Sequence, residues 1–322
     1  MKIENTRVAQ SVALQHRCAF YSSPKHLTTQ LTPMLAATLA RGTTVALAVA
    51  PDTAATVEDV LGPSRQLVRL SEPNPGSQSG QTLAAHRARE LRELIREHGP
   101  VAMIGQHRSE FDGADGSFWT ELDAAFGIAL AEMPVELTCF YPELPLHQAI
   151  LDGARRTHPA LLVGGTPVAN PEHLCPRTVL AEHPAPSPTL LGAPDLQLEF
   201  GAWQLNEMRE LLERALVTTG YGRDRAEDLV LAVNEVATNA VEYGSADARL
   251  YVWLDGDGRS DGAVCEIHDR GTLRDPLPGL AAPHSSDPRG RGVWIARQIC
   301  ESLHVWSDRF GTHVRLHAGR PV

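Results

Sequence analysis

Two hydrophobic patterns follow one another along the chain. Up to about residue 165, short apolar runs alternate with stretches of helical period. The runs are VALAV (45–49), QLVRL (66–70), VAMIG (101–105), ELTCF (136–140) and ALLVG (160–164). Each is strand-length, and the first, third and fifth are apolar throughout, as strands covered on both faces are. Helical patterns fall between them at about 26–40, 53–61, 80–98, 117–132 and 145–156. Strand alternating with helix predicts a doubly wound α/β domain with a mainly parallel sheet. Beyond residue 195 the order changes. A strand LQLEF (196–200) precedes helices over 203–217 and 228–244, and two strands, RLYVWLDG (249–256) and GAVCEIHDRG (262–271), flank a Gly/Asp turn. A Pro/Gly/Ser-rich loop (272–292), a helix (293–303) and a hairpin of HVWSD (304–308) with GTHVRLH (311–317) complete the chain. That order predicts an α+β sandwich, helices covering one face of a largely antiparallel sheet.

The eight prolines from Pro159 to Pro194 predict an extended connector between the two patterns. The expected organisation is a polar tail (1–17), an α/β domain (18–175), a Pro-rich linker (176–195) and an α+β domain (196–322).

Within 228–244, Leu229, Val233, Val236 and Ala240 form one apolar stripe at helical spacing. Glu235 and Asn239, four residues apart, share a neighbouring face. Taken alone, that pair reads as a solvated helix edge. Its context changes the reading: Asp269-Arg270-Gly271 ends a strand, Gly290-Arg291-Gly292 precedes a helix, and Gly311-Thr312 opens the last strand.

Composition narrows the function classes. With 43% hydrophobic and 21% charged residues the chain is of globular type. A net charge of −10 argues against a nucleic-acid partner. No run is long and apolar enough for a membrane span, and MKIENTRVAQSVALQHR lacks the basic start and apolar core of a signal peptide. Cys18, Cys139, Cys175, Cys265 and Cys300 are scattered and never paired as C-x-x-C, which predicts reduced, mostly buried thiols in a cytoplasmic protein without disulfides or zinc. The histidines are equally dispersed, so no His/Cys metal site is expected. The first strand-to-helix turn, VAPDTAATVEDVLG, lacks the glycines and lysine of a phosphate loop. The loops at 50–53, 105–119 and 140–144 follow strand ends, where α/β sheets hold ligands.

The segments FYSSPKHLTTQLTPMLAATLARGTTVALAVAP (20–51), FYPEL (140–144) and HQAILDGARRTHPALLVGG (147–165), with the central helix, resemble the MEDS sensory domain. That resemblance implies a small-molecule-sensing domain, related in architecture to P-loop ATPases without their phosphate loop. HRARELREL (86–94) faintly resembles the phospho-accepting helix of sensor kinases, but its Leu83, Leu91, Leu94 and Ile95 supply a sheet-facing stripe and leave His86 without the expected hairpin.

The four features of the second pattern, in their order, resemble the GHKL (Bergerat) ATPase fold. NEVATNAVEYG and PRGRGVWIARQICESLHVWSDRFGTHVRL most resemble its anti-sigma serine kinase branch. The resemblance implies ATP and Mg²⁺ as cofactors. Asp269 would accept from the adenine amine, Gly271 would let the backbone lie against the base, and Thr312 would support the adenine side. Asn239 would offer oxygen to Mg²⁺, Gly290 and Gly292 would open backbone N–H groups to the phosphates, and Glu235 would act on the attacking nucleophile. Residues 272–289 would form a lid, and Arg289 and Arg291 are either phosphate partners or surface charges. The branch implies a serine/threonine protein kinase acting on a regulatory partner of anti-anti-sigma or sigma-factor type, with a homodimer compatible with it. Two alternatives stand beside it: a histidine-kinase-like protein without an orthodox acceptor hairpin, and a non-catalytic ATP-dependent protein-binding switch.

Overall fold

A computed structural model describes residues 13–71, 79–112, 116–182, 187–188, 190–244, 248–254, 262–273, 275, 277–284 and 291–319. They group into two compact units, one drawn from Met1–Glu72, Glu90–Ser109 and Leu130–His173, the other from Pro73–Arg89, Glu110–Ala129 and Leu174–Val322.

The first unit is built on a seven-stranded sheet. Its strands are β1 (Gln15–Tyr21), β2 (Thr44–Ala48), β3 (Leu67–Arg69), β4 (Val101–Gln106), β5 (Val135–Pro142), β6 (Ala160–Val163) and β7 (Thr166–Ala169), in the order β3-β2-β4-β5-β1-β6-β7. All neighbours are parallel except β7, which turns back against β6. The mainly parallel sheet expected from the alternating pattern is therefore present. Two of its strands were not anticipated, β7 and the internal strand β1, whose QHRCAFY mixes polar with apolar positions.

Helices α1 (Pro24–Ala40) and α2 (Pro51–Leu61) set Leu27, Leu31, Leu35 and Val57 against one face of this sheet, where Ala19, Val45, Ile104 and Phe140 meet them. The register places His16 beside Leu137 and Cys18 beside Cys139, so these four side chains share the opposite face. Helix α5 (Gln148–Thr157) approaches that face: Cys18 Sγ lies 3.8 Å from the Ala154 carbonyl oxygen. Burial, and then the neighbouring His158 and His173 rings, hold the His16 imidazole well below its ordinary pKa. Dispersal in sequence thus did not mean dispersal in space, contrary to the expectation for histidine and cysteine.

The second unit holds a five-stranded antiparallel sheet, β8 (Leu196–Phe200), β9 (Ala248–Trp253), β10 (Ala263–Asp269), β11 (Ser302–Asp308) and β12 (Gly311–Ala318), in the order β11-β12-β10-β9-β8. Helices α7 (Leu205–Thr218), α8 (Arg223–Tyr243) and α9 (Arg291–Ile299) share its core. The predicted stripe of α8 is the centre of that core: Leu229, Val233, Val236 and Ala240 are all buried. Trimming one such leucine to alanine would cost about 2–5 kcal/mol. Helix α9 stops at Ile299, short of the expected residue 303, because Leu303 and Val305 face the core at the two-residue period of β11.

Helix α6 (Pro176–Glu182) replaces part of the extended connector. Pro176 stands at its first position, where a missing N–H costs nothing, and Val179 and Leu180 are buried. Helix α4 (Ser117–Ala129) and the first half of α3 (Gly80–His98) also belong to this unit. They bring a buried polar set to α9. Arg297 donates to Gln81 Oε1 (2.7 Å), the Leu303 carbonyl (2.9 Å) and the Pro278 carbonyl (3.0 Å). Glu121 accepts from the Gly80 N–H (2.7 Å) and the Gln81 amide (3.3 Å). Burial pushes the Glu121 carboxyl up to about 7 against those bonds and the Arg297 charge. It lowers the Arg297 guanidinium to about 10, opposed by Glu121 and Asp275.

Candidate functional site

The site is a cavity of about 550 Å³ between α8, β10, β12 and the start of α9. That volume is in the range of small-molecule sites. Its floor is apolar, with Ile267, Leu273, Val305 and Val314 among the lining residues. Asn239, Asp269, Gly271 and Thr312 also line it, so four of the seven residues singled out from sequence meet around one space.

Strand pairing explains the meeting. Asp269 is the last residue of β10 and pairs with Thr312, the second of β12. The chain then bends so that Asp269 Oδ1 accepts from the Gly271 N–H at 2.6 Å, while the Thr312 hydroxyl donates to the Gly271 carbonyl at 3.2 Å. Gly271 is held through both its N–H and its carbonyl. A Cβ there would lie 2.7 Å from Asp269 Oδ1 and 2.7 Å from the Gly244 Cα, so glycine is required by space. Thr312 was expected to support the adenine side through its hydroxyl; the proton of that hydroxyl holds Gly271, and its oxygen remains an acceptor.

Asp269 is 8% exposed. Burial raises its carboxyl above the usual aspartate value, opposed by the Gly271 N–H and by the charges of His268 and His313. The Gly271 bond engages one oxygen and leaves the second for a donor in the cavity. An acceptor in a largely apolar wall is a selective feature, because a ligand group placed there must donate.

Asn239 lies on α8 beside the cavity, and Glu235 is one turn earlier. Glu235 is not among the lining residues; it stands against the first turn of α9, where a Cβ on Gly292 would run into its carboxylate. Gly292 lies inside α9, whose first residue is Arg291. Gly290 and Arg289 lie outside the described residues.

Sequence reasoning missed two contributions. Gly244, the cap of α8, packs against both Asp269 and Gly271; the YG that ends the α8 pattern was the available signal. The loop after Gly271 was expected to be a lid, yet Leu277 and Leu280 are buried and the Pro278 carbonyl is bound by Arg297. Described residues of that loop, among them Leu273, Pro278 and Gly279, line the cavity.

Residues 201–318 match the family model of the histidine kinase-like ATPase domain. Residues 15–159 match that of the MEDS domain, the methanogen/methylotroph, DcmR sensory domain. No curated protein matches the chain. Among solved structures, it is similar to the RsbU and RsbW domains of Rv1364c from Mycobacterium tuberculosis, at 21% identity and a TM-score of 0.28. That likeness covers 43% of this chain and 36% of the solved one, so this chain spans little more than a third of its length.

Proposed function

We propose, for a chain that joins an N-terminal MEDS sensory domain to a C-terminal histidine kinase-like ATPase domain, a signal-transduction regulator of the kinase type. A small molecule taken up by the sensory domain governs an ATP-dependent serine/threonine kinase of anti-sigma type. Its target is a regulatory protein of anti-anti-sigma or sigma-factor type. The observation that carries this reading is the Asp269–Gly271–Thr312 clasp in the wall of an apolar cavity flanked by Asn239.

Mg²⁺-ATP, when bound, supplies the transferable phosphoryl group. The residues present fit it: a buried carboxylate beside a glycine that a Cβ would obstruct suits a flat base bearing an amine donor. Asp269 accepts from the adenine amine, which guanine does not offer at that place. Gly271 keeps the backbone flat beside the ring, and Asn239 offers a neutral hard oxygen to Mg²⁺. Gly292, in the first turn of α9, has no side chain to keep phosphate from that helix end, and the same role is proposed for Gly290. Glu235, beside Gly292, orients or deprotonates the attacking hydroxyl.

One observation favours a second reading. Glu235 lies outside the cavity lining, which also suits a switch in which ATP sets the partner-binding shape without transfer. The deciding experiment incubates the full chain with Mg²⁺ and γ-labelled ATP, alone and with partners recovered by ATP-dependent pull-down. Acid-stable label on a partner is expected. Acid-labile label on the chain itself would replace this reading with a histidine kinase, and binding without transfer would leave the switch.

A further inference from the structure

The face of the first unit's sheet opposite α1 and α2 carries a cluster that the nucleotide reading does not use. His16 on β1, Cys139 on β5 and His158 just past α5 are 3%, 7% and 0% exposed. One ligand atom from each lies within 4.8 Å of those of the other two. We infer that His16, Cys139 and His158 bind a divalent metal ion of the zinc class.

Three features of the geometry carry this. His16 Nε2 is 3.7 Å from Cys139 Sγ. In a tetrahedral site with Zn–N of about 2.05 Å and Zn–S of about 2.3 Å, the N···S edge is about 3.6 Å. A weak S–H···N hydrogen bond has a similar length, so the second feature matters more. His158 Nδ1 lies 2.7 Å from the Ala154 carbonyl oxygen. A carbonyl only accepts, so Nδ1 carries the proton and Nε2 keeps its lone pair. Backbone carbonyls orient metal-bound histidines in this way. Third, the His16 and His158 ring centroids are 4.0 Å apart, so the two imidazoles are direct neighbours.

The donor set names the ion class. Imidazole with thiolate suits zinc and its neighbours, whereas Mg²⁺ takes oxygen ligands. The site is therefore chemically separate from the one proposed for Mg²⁺-ATP, and its test does not depend on that proposal. Binding releases the thiol proton of Cys139 to solvent as the thiolate forms its bond to the metal.

The test titrates the chelator-stripped full chain with Co²⁺. About one ion per chain should bind tightly enough to withstand gel filtration, with a thiolate-to-cobalt charge-transfer band. Cys139→Ser should abolish the band and weaken uptake by more than about 100-fold, beyond the roughly 10–100-fold that changes behind the ligands cost. Cys18→Ser, on the same face, and Cys175→Ser, at an exposed thiol, should leave the band intact. A band that survives Cys139→Ser, or a stripped chain that retains no cobalt, overturns the assignment. If Cys139→Ser loses its native circular dichroism, zinc-edge X-ray absorption of the unmutated chain decides. One sulfur and at least two nitrogen neighbours are expected there; a shell of light atoms only refutes it.

Discussion

Asp269→Asn tests the nucleotide reading at its most selective atom. The Gly271 N–H lies 2.6 Å from Oδ1 and needs an acceptor there. In the variant the amide oxygen takes that place, so the NH₂ group takes the other, facing whatever donates from the cavity. An acceptor becomes a donor. The wild-type bond to a charged carboxylate is worth about 1.5–3 kcal/mol, a loss of about tenfold to a little over a hundredfold in affinity. The donor–donor encounter places the expected loss at the upper end of that range. The unliganded fold should not suffer, because the Asp269 carboxyl is already raised by burial and a neutral amide removes a charge from a poor environment. The assay is calorimetric titration with Mg²⁺-ATP and Mg²⁺-GTP, with thermal melts of both proteins. Wild type should bind ATP and reject GTP, and its ATP affinity should fall on acidification as Asp269 protonates. The variant should melt no lower and lose the discrimination. A variant with intact fold and undiminished ATP affinity would refute the reasoning.

Three further outcomes are expected. Glu235→Gln should retain Mg²⁺-ATP binding and lose phosphoryl transfer by about 10²–10⁴-fold; transfer at the wild-type rate would remove Glu235 from the chemistry. Arg297→Met strips hydrogen bonds from Gln81, Leu303 and Pro278 and leaves Glu121 without its compensating charge. A loss of about 3–5 kcal/mol in chemical denaturation is expected, and one below about 1 kcal/mol would contradict the buried network. Glu121, raised in the folded state to about 7, contributes stability fully present below its unfolded pKa and lost as pH rises through the folded one. That loss is about 3 kcal/mol, so urea midpoints at pH 5 and pH 8 should separate more for wild type than for Glu121→Gln, and equal separations would count against it.

Legibility in the sequence followed the range of each signal. The α8 stripe is local, repeats at the helical period, and all four of its residues are buried. Strand β1 was illegible for the opposite reason: its burial alternates irregularly, and His16 is buried beside Cys139 of β5 and His158 just past α5. The proline-dense connector concealed α6, since proline density forbids helix interiors but not a first turn. Asn239, Asp269, Gly271 and Thr312 could be named singly, but their meeting depends on the register of β10 on β12. Register is a property of the pair of strands, and the same holds for the nearness of Cys139 to His16 across β5 and β1.

The buried set around Arg297 carries that distinction furthest. Gln81 and Glu121 lie in the stretch matched to the sensory family, and Arg297 lies in the stretch matched to the ATPase family. Packing nevertheless assigns all three to the same compact unit. Family likeness and physical cohesion therefore divide this chain at different places. Helix α9 starts at Arg291, sets Gly292 against the Glu235 carboxylate, and under two turns later holds Arg297 on Gln81 Oε1. The Arg297–Gln81 bond and the contact of Gly292 with Glu235 are thus both made from one nine-residue helix.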